Sequence, residues 1–174
     1  MAIAIGDKVP VAVLKELRDG APVAIATAEL FAGKRVIVFS CPGAFTPKST
    51  VQQVPSFINH FDEFLALDID SVICISVNDA FVMNAWSEAC GATGKIRMLA
   101  DGHAEFHTQL GLEMDCTRFT LGFRSHRFSM FVDDGRVKLL NVEDPGAYDV
   151  SDAAVILQQL RTTHESSDGA ETGR

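Results

Sequence analysis

The stretch Val36-Ile37-Val38-Phe39-Ser40-Cys41-Pro42-Gly43-Ala44-Phe45-Thr46-Pro47-Lys48-Ser49-Thr50 decides the fold, because an apolar strand stops there and the chain turns abruptly into a helix. Two prolines and a glycine pin the turn. Thr46 sets a hydroxyl inside it, and Ser49 falls where the first helical turn presents free backbone N–H groups. Such a turn can hold an anion or a reactive oxygen. The strand from Lys34 to Ser40 is continuously apolar after its basic start, which predicts an interior position with both faces covered. Beyond Ser49, residues Val51, Val54, Phe57, Ile58, Phe61, Phe64 and Leu65 recur at helical spacing. Pro55 lies inside that run and is expected to break or kink the helix near its first two turns.

Working outward, Val11 to Leu17 reads as an edge strand ending at Asp19-Gly20, with Val23 to Ile25 as its hairpin partner. Thr27 to Phe31 reads as a short helical turn, capped by Thr27 and stopped at Gly33. Ser71 to Val77 is a second fully apolar strand. Asn78-Asp79 then caps a helix from about Ala80 to Ala89, closed by Gly91 and Gly94. Ile96 to Ala100 is a short strand, and Ala104 to Leu110 a short helix ending at Gly111. Strand, helix, strand, helix, strand describes parallel βαβ units with right-handed crossovers. Arg127 to Val132 and Arg136 to Val142 flank Asp133-Asp134-Gly135, a strong hairpin signal. The expected fold is therefore α/β, a central mixed β-sheet flanked by helices with an N-terminal hairpin extension. Ser151 is expected to cap a last helix from Asp152 to Leu160. Residues 1–161 then form a single domain, and the polar, Gly/Ser-rich residues 162–174 are expected to be a disordered tail.

Composition narrows the function classes. A chain of 174 residues fits one domain with one sizeable core. A formal net charge of −8 argues against non-specific binding to nucleic acid or an anionic membrane, which call for clustered Lys and Arg. No apolar run approaches the roughly 20 residues that cross a bilayer, and the first residues carry no basic, apolar or Arg-rich targeting pattern, so a cytoplasmic protein is expected. Cys41, Cys74, Cys90 and Cys116 make neither a disulfide framework nor a CxxC pair, and reduced thiols are expected. His60, His103, His107, His126 and His164 show no metal-ligand spacing, and no cofactor is implied.

Several motifs in this order resemble the peroxiredoxins, specifically the type 5 (type II) group of thiol peroxidases, over residues 1 to about 160. They are Pro42 to Pro47, Ser76-Val77-Asn78-Asp79-Ala80-Phe81-Val82, Leu99-Ala100-Asp101, Leu110-Gly111-Leu112, Arg124, Arg127-Phe128-Ser129-Met130 and Leu140-Asn141-Val142-Glu143. The resemblance implies a thioredoxin-like fold and reduction of hydrogen peroxide and alkyl hydroperoxides by a cysteine thiolate. It also implies glutaredoxin or thioredoxin, with glutathione, as reductant, and a homodimer packed at the rim around the turn. In that family the turn continues Thr-Pro-x-Cys, and the matching residue here is Ser49. Carried over by position, Arg127 supplies a guanidinium that lowers the thiol pKa from about 8.5, Thr46 hydrogen-bonds the peroxide and Pro42 shields the pocket. Backbone N–H groups near Lys48 and Ser49 would polarise the breaking O–O bond. The family usually has Ser, His and Gly where this chain has Thr50, Gln53 and Ser56, and Lys48 is uncommon.

A serine hydroxyl is a far weaker acid and nucleophile than a thiol and has no sulfenic acid state, so this form is expected to be inactive. Two origins compete. An engineered Cys-to-Ser replacement is favoured by the retention of Thr46 and Arg127; the alternative is a natural non-catalytic relative that binds an oxyanion or a partner at the turn. Cys41, at a buried strand end, is expected to behave as an inert apolar side chain, and Cys74 as core. Cys90 and Cys116, more exposed by pattern, are candidates for a resolving thiol, with incidental surface cysteine the simpler reading. Phe45, Phe81 and Trp86 read as core. Arg124 is the alternative to Arg127, and the position directly before Phe128-Ser129-Met130 favours Arg127.

Overall fold

The computed structural model describes residues 1–171, with side chains described through Thr163. The chain runs β1 (Val13–Arg18), β2 (Ala21–Ala26), α1 (Thr27–Phe31), β3 (Arg35–Cys41), a π-helical turn (Ser49–Gln53), α2 (Val54–Asn59) and α3 (Phe61–Leu65). It continues with β4 (Ser71–Ser76), α4 (Ala80–Cys90), β5 (Ile96–Ala100), α5 (Glu105–Leu110), β6 (Glu113–Asp115) and a 3-10 turn (Thr117–Phe119). Last come β7 (Phe123–Ser125), β8 (Phe128–Asp133), β9 (Arg136–Val142) and α6 (Ala153–Glu171).

The main sheet has the order β2-β1-β5-β4-β3-β8-β9. Its centre, β5-β4-β3, is parallel, and antiparallel strands close it on both sides. This is the expected mixed α/β sheet with a hairpin extension. β1, expected at the edge, lies one strand in, because β2 takes the edge and Lys15 of β1 pairs with Ala100 of β5. Both hairpins turn on Asp-Gly: Asp19 and Gly20 take φ of 50° and 78°, and Asp134 and Gly135 take 46° and 74°. Two positive φ values in a two-residue loop match the twist of the flanking strands, and glycine adopts one without a Cβ clash.

β3 is the axis of the core. Ile37, Phe39 and Cys41 point to the face covered by Phe57, Phe64, Trp86, Ile156 and Leu160, whereas Val36 and Val38 meet Phe31, Phe106 and Leu110 on the other. Each such apolar side chain contributes about 1.5–3 kcal/mol on full burial. The two clusters together fix the C-terminal end of β3, where the site begins.

Four local expectations are corrected. Thr27 is the first residue of α1 and does not cap it; its Oγ1 donates to the Pro10 carbonyl at 2.8 Å and accepts from the Ala12 N–H at 3.0 Å. Pro55 does not break the helix, because it sits in the first turn of α2 behind a π turn. There the Val54 N–H reaches back five residues to Ser49, and the wider turn eases the clash that a proline ring makes with the carbonyl four residues back. The break falls instead at His60, with φ −96° and ψ 7°. Ser151 does not cap α6, since its N–H and Oγ both go to the buried Glu143 carboxylate, and Asp152 accepts the Ala154 N–H at 2.8 Å. α6 continues to Glu171, so the backbone from Thr162 to Glu171 extends a helix already nucleated by packing, and residues 172–174 lie outside the described residues. The small β6-β7 sheet was not expected from the sequence; it pairs Met114 with Arg124.

Candidate active site

The turn after β3 is held from outside. The Ala44 N–H donates to Asn78 Oδ1 at 2.9 Å, and Arg124 bridges the Val77 and Leu121 carbonyls at 2.9 and 2.8 Å. Gly43 leaves room for that guanidinium, since a Cβ there would stand 3.0 Å from Arg124 Nη1. Arg124 thus braces the turn. Phe45 follows in the left-handed region at φ 61°, with its ring exposed.

Inside the turn, the structure brings Ser49, Thr46 and Arg127 together. Ser49 is fully buried at the start of the π turn. Arg127 Nη1 donates to Ser49 Oγ at 3.0 Å, while Thr46 Oγ1 lies 2.7 Å from Ser49 Oγ and 2.8 Å from the Gly43 carbonyl oxygen. Each hydroxyl has a single proton. All acceptors are satisfied when Arg127 donates to Ser49, Ser49 to Thr46, and Thr46 to Gly43.

Arg127 is 8% exposed and also donates to Gln53 Oε1, while Gln53 Nε2 donates to the Ser40 carbonyl at 3.1 Å. Its guanidinium carbon lies 5.7 Å from the centre of the Tyr148 ring. Among the described residues no carboxylate is within ion-pair distance of it. Burial holds its pKa below the usual arginine value. A buried cation surrounded by neutral acceptors stabilises negative charge that develops at position 49.

Pro42 is half-buried and lines a neighbouring groove of about 440 Å³ with Met114, Cys116, Phe119 and Leu121. Cys116, expected near the surface, is buried in that wall, and Cys90 is half-buried at the end of α4. All four cysteines are free thiols. Phe45 and Phe81, read as core from the sequence, are exposed, together with Phe119 and Phe123. Trp86 is core, and its Nε1 donates to Thr50 Oγ1 at 3.1 Å, tying α4 to the π turn. Cys41 is fully enclosed as expected, but it is not electrostatically inert. The neighbouring Cys74 thiol draws its pKa down to about 6 against the effect of burial, helped by Ser49 and Arg127. Burial and Cys41 push Cys74 up.

Sequence reasoning registered Gln53 only as a departure from a family pattern and did not single out Tyr148. The available signal for Gln53 was its spacing, four residues after Ser49, which sets both on one face of a helix.

A family model described as Redoxin matches residues 4–157. Peroxiredoxin-2B of Arabidopsis thaliana is 41% identical over 159 residues, covering 91% of this chain and 98% of that protein. The chain belongs to the peroxiredoxin family. Mitochondrial peroxiredoxin-2F of the same plant is 47% identical over 133 residues, which are 76% of this chain and 66% of that longer protein. Among solved structures, reduced Prx3 of Vibrio vulnificus in complex with hydrogen peroxide is 47% identical, with a TM-score of 0.87 over 91% of this chain and 99% of that one. The thioredoxin-like peroxiredoxin fold therefore carries a site with an oxygen, not a sulfur, between Thr46 and Arg127.

Proposed function

We propose that this peroxiredoxin carries the peroxide pocket of a thiol peroxidase, with Ser49 at the attacking position, and that in this form it does not turn peroxide over. The observation that carries the reading is the convergence on one atom: Arg127 Nη1 at 3.0 Å and Thr46 Oγ1 at 2.7 Å from Ser49 Oγ. With a cysteine there, the thiolate attacks one oxygen of the hydroperoxide, an S–O bond forms and the O–O bond breaks. The departing alkoxide or hydroxide takes a proton, leaving a sulfenic acid and an alcohol or water. Arg127 stabilises the charge shared by sulfur and oxygen, and Thr46 orients the peroxide. Glutaredoxin or thioredoxin, drawing on glutathione or an equivalent dithiol, then returns the sulfenic acid to the thiol. The exposed Phe45, Phe119 and Phe123 support a homodimer built on this rim.

An intact pair of pocket donors favours a Cys-to-Ser replacement made in a working enzyme. A natural non-catalytic relative is the second reading, and the buried Gln53 in place of the family's histidine supports it. A cysteine codon at position 49 of the natural gene decides between them.

The test is peroxide consumption by the Ser49 chain and by Ser49→Cys, each with glutaredoxin and glutathione, thioredoxin, or dithiothreitol. Expected are no turnover by the Ser49 chain and reductant-dependent turnover by the variant. Turnover at equal rates by both, or by neither, overturns the reading.

A further inference from the structure

On the face of β3 opposite the pocket, a polar network is sealed inside the core. Asp101 is 3% exposed, and His107, Ser40 and Ser125 are fully buried. The Asp101 carboxylate accepts from the Phe106 N–H at 3.2 Å, the His107 N–H at 3.1 Å and the His107 ring at Nδ1, 2.7 Å away. Nδ1 of the ring faces Asp101, and Nε2 on its far side is hydrogen-bonded to the Ser40 hydroxyl at 2.9 Å. Ser125 Oγ lies 2.6 Å from Ser40 Oγ and donates to the Cys41 carbonyl at 3.0 Å, which Ser76 Oγ also approaches at 3.3 Å.

An apolar side chain at 107 would suit its surroundings, since the ring lies against Phe106 and Phe128 with centroids 5.7 and 6.0 Å away. What the imidazole adds is direction. Its two nitrogens point opposite ways, one anchored on Asp101 and the other gripping the last turn of β3. A fully satisfied buried polar network specifies one geometry, whereas an apolar contact tolerates slack. The gripped residue matters because the Ser40 carbonyl is the acceptor for Gln53 Nε2, and Gln53 Oε1 is bonded to Arg127.

We infer that His107 is a positioning residue: acting through Ser40 and Gln53, it fixes the direction in which Arg127 points at position 49. This rests on the reading of position 49 as the attacking position. The relay runs from Asp101 to His107, then to Ser40, Gln53, Arg127 and position 49, joining α5 to the pocket across the sheet. Among the described residues, no buried side-chain polar atom lacks a hydrogen-bond partner, so no link in the relay is slack.

The test uses the Ser49→Cys chain, with His107→Phe, His107→Gln or Ser40→Ala added. The readout is the pKa of the thiol introduced at position 49, from alkylation rate against pH resolved by peptide mass spectrometry, together with the urea midpoint. Loosening Arg127 raises that thiol pKa in His107→Phe and Ser40→Ala by about half a unit to one unit. The rate constant with hydrogen peroxide falls roughly tenfold. His107→Gln, which keeps a polar group near the Nε2 position, is expected to recover most of the difference. A merely structural role lowers the urea midpoint and leaves the thiol pKa of the folded protein unmoved, and that result in Ser40→Ala overturns the inference even if His107→Phe fails to fold. Should the Ser49→Cys chain consume no peroxide, the pocket reading fails separately, while the alkylation profile still reports on His107.

Discussion

Two helices start beyond the C-terminal ends of neighbouring parallel strands, and they start differently. After β4, Asp79 is extended at φ −78° and ψ 167°, its side chain accepts the Val82 N–H at 2.8 Å, and α4 runs regularly to Gly91 at φ 68°. After β3, the chain is already helical from Pro47, Lys48 takes φ −58° and ψ −40° with no side-chain cap ahead of the π turn, and the π turn follows at once over Ser49–Gln53. The side chains that could have capped it, Thr46 and Ser49, bond to each other and to Arg127 instead. The regular start serves stability. The irregular one orients side chains, and packing must supply the stability that the missing cap does not.

The largest effect should come from that packing. Phe57 of α2 stacks on Phe39 with centroids 4.0 Å apart and rings 4° from parallel, both fully buried. Phe57→Ala is expected to cost about 3–5 kcal/mol in urea unfolding. A loss under about 1 kcal/mol would mean that the uncapped helix is held by something other than its core face. Next is the chemistry the irregular turn supports. Arg127→Gln in the Ser49→Cys chain should slow the reaction with hydrogen peroxide by roughly 10²–10³-fold, measured by stopped flow with the fold checked by circular dichroism.

A third helix start sharpens the comparison through pH. Asp101 takes the N–H groups of Phe106 and His107 at the start of α5. Burial acts to raise its pKa, but the hydrogen bond and charge of His107, with those two N–H groups, outweigh it and hold the carboxyl below 3.8. A carboxyl lowered in the folded state contributes stability above its unfolded pKa, and that contribution is lost as pH falls through the folded value. Urea midpoints for Asp101→Asn should therefore change less between pH 6 and pH 3 than those of the chain with Asp101 intact. The smallest effect belongs to the ordinary cap. Asp79→Ala should cost about 1 kcal/mol and leave the peroxide rate of the Ser49→Cys chain unchanged. A change in that rate would join the two helix starts functionally.

What was legible in the sequence follows from where each signal resides. β3 and β4 could be read because an interior parallel strand, covered on both faces, shows as an unbroken apolar run. The hairpins and the Asp79 cap could be read because a turn or cap is decided by two to four adjacent residues. Pro55 misled, since the rule against proline assumes α register and a π turn changes the carbonyl it meets. Ser151 misled because a cap-type residue has a competing partner in Glu143, eight positions away. In the site, Thr46 and Ser49 belong to one local motif, but Arg127 is 78 residues from Ser49 and was reached through family resemblance. His107 stands 67 residues from Ser40, and nothing around it in the chain distinguishes it from a surface histidine.

The π turn also constrains how this chain can vary. A π turn is a helix carrying one residue more than α register needs. Deleting one residue within 50–52 would let the backbone fall back to ordinary register and bring Ser49 and Gln53 one residue closer along the helix. Arg127 would then no longer meet both side chains in the geometry it has here. Substitutions in this segment change what the pocket contains; a change in its length removes the pocket. Among relatives, a gap at this place would mark a lineage that has abandoned the site, even where Thr46 and Arg127 survive.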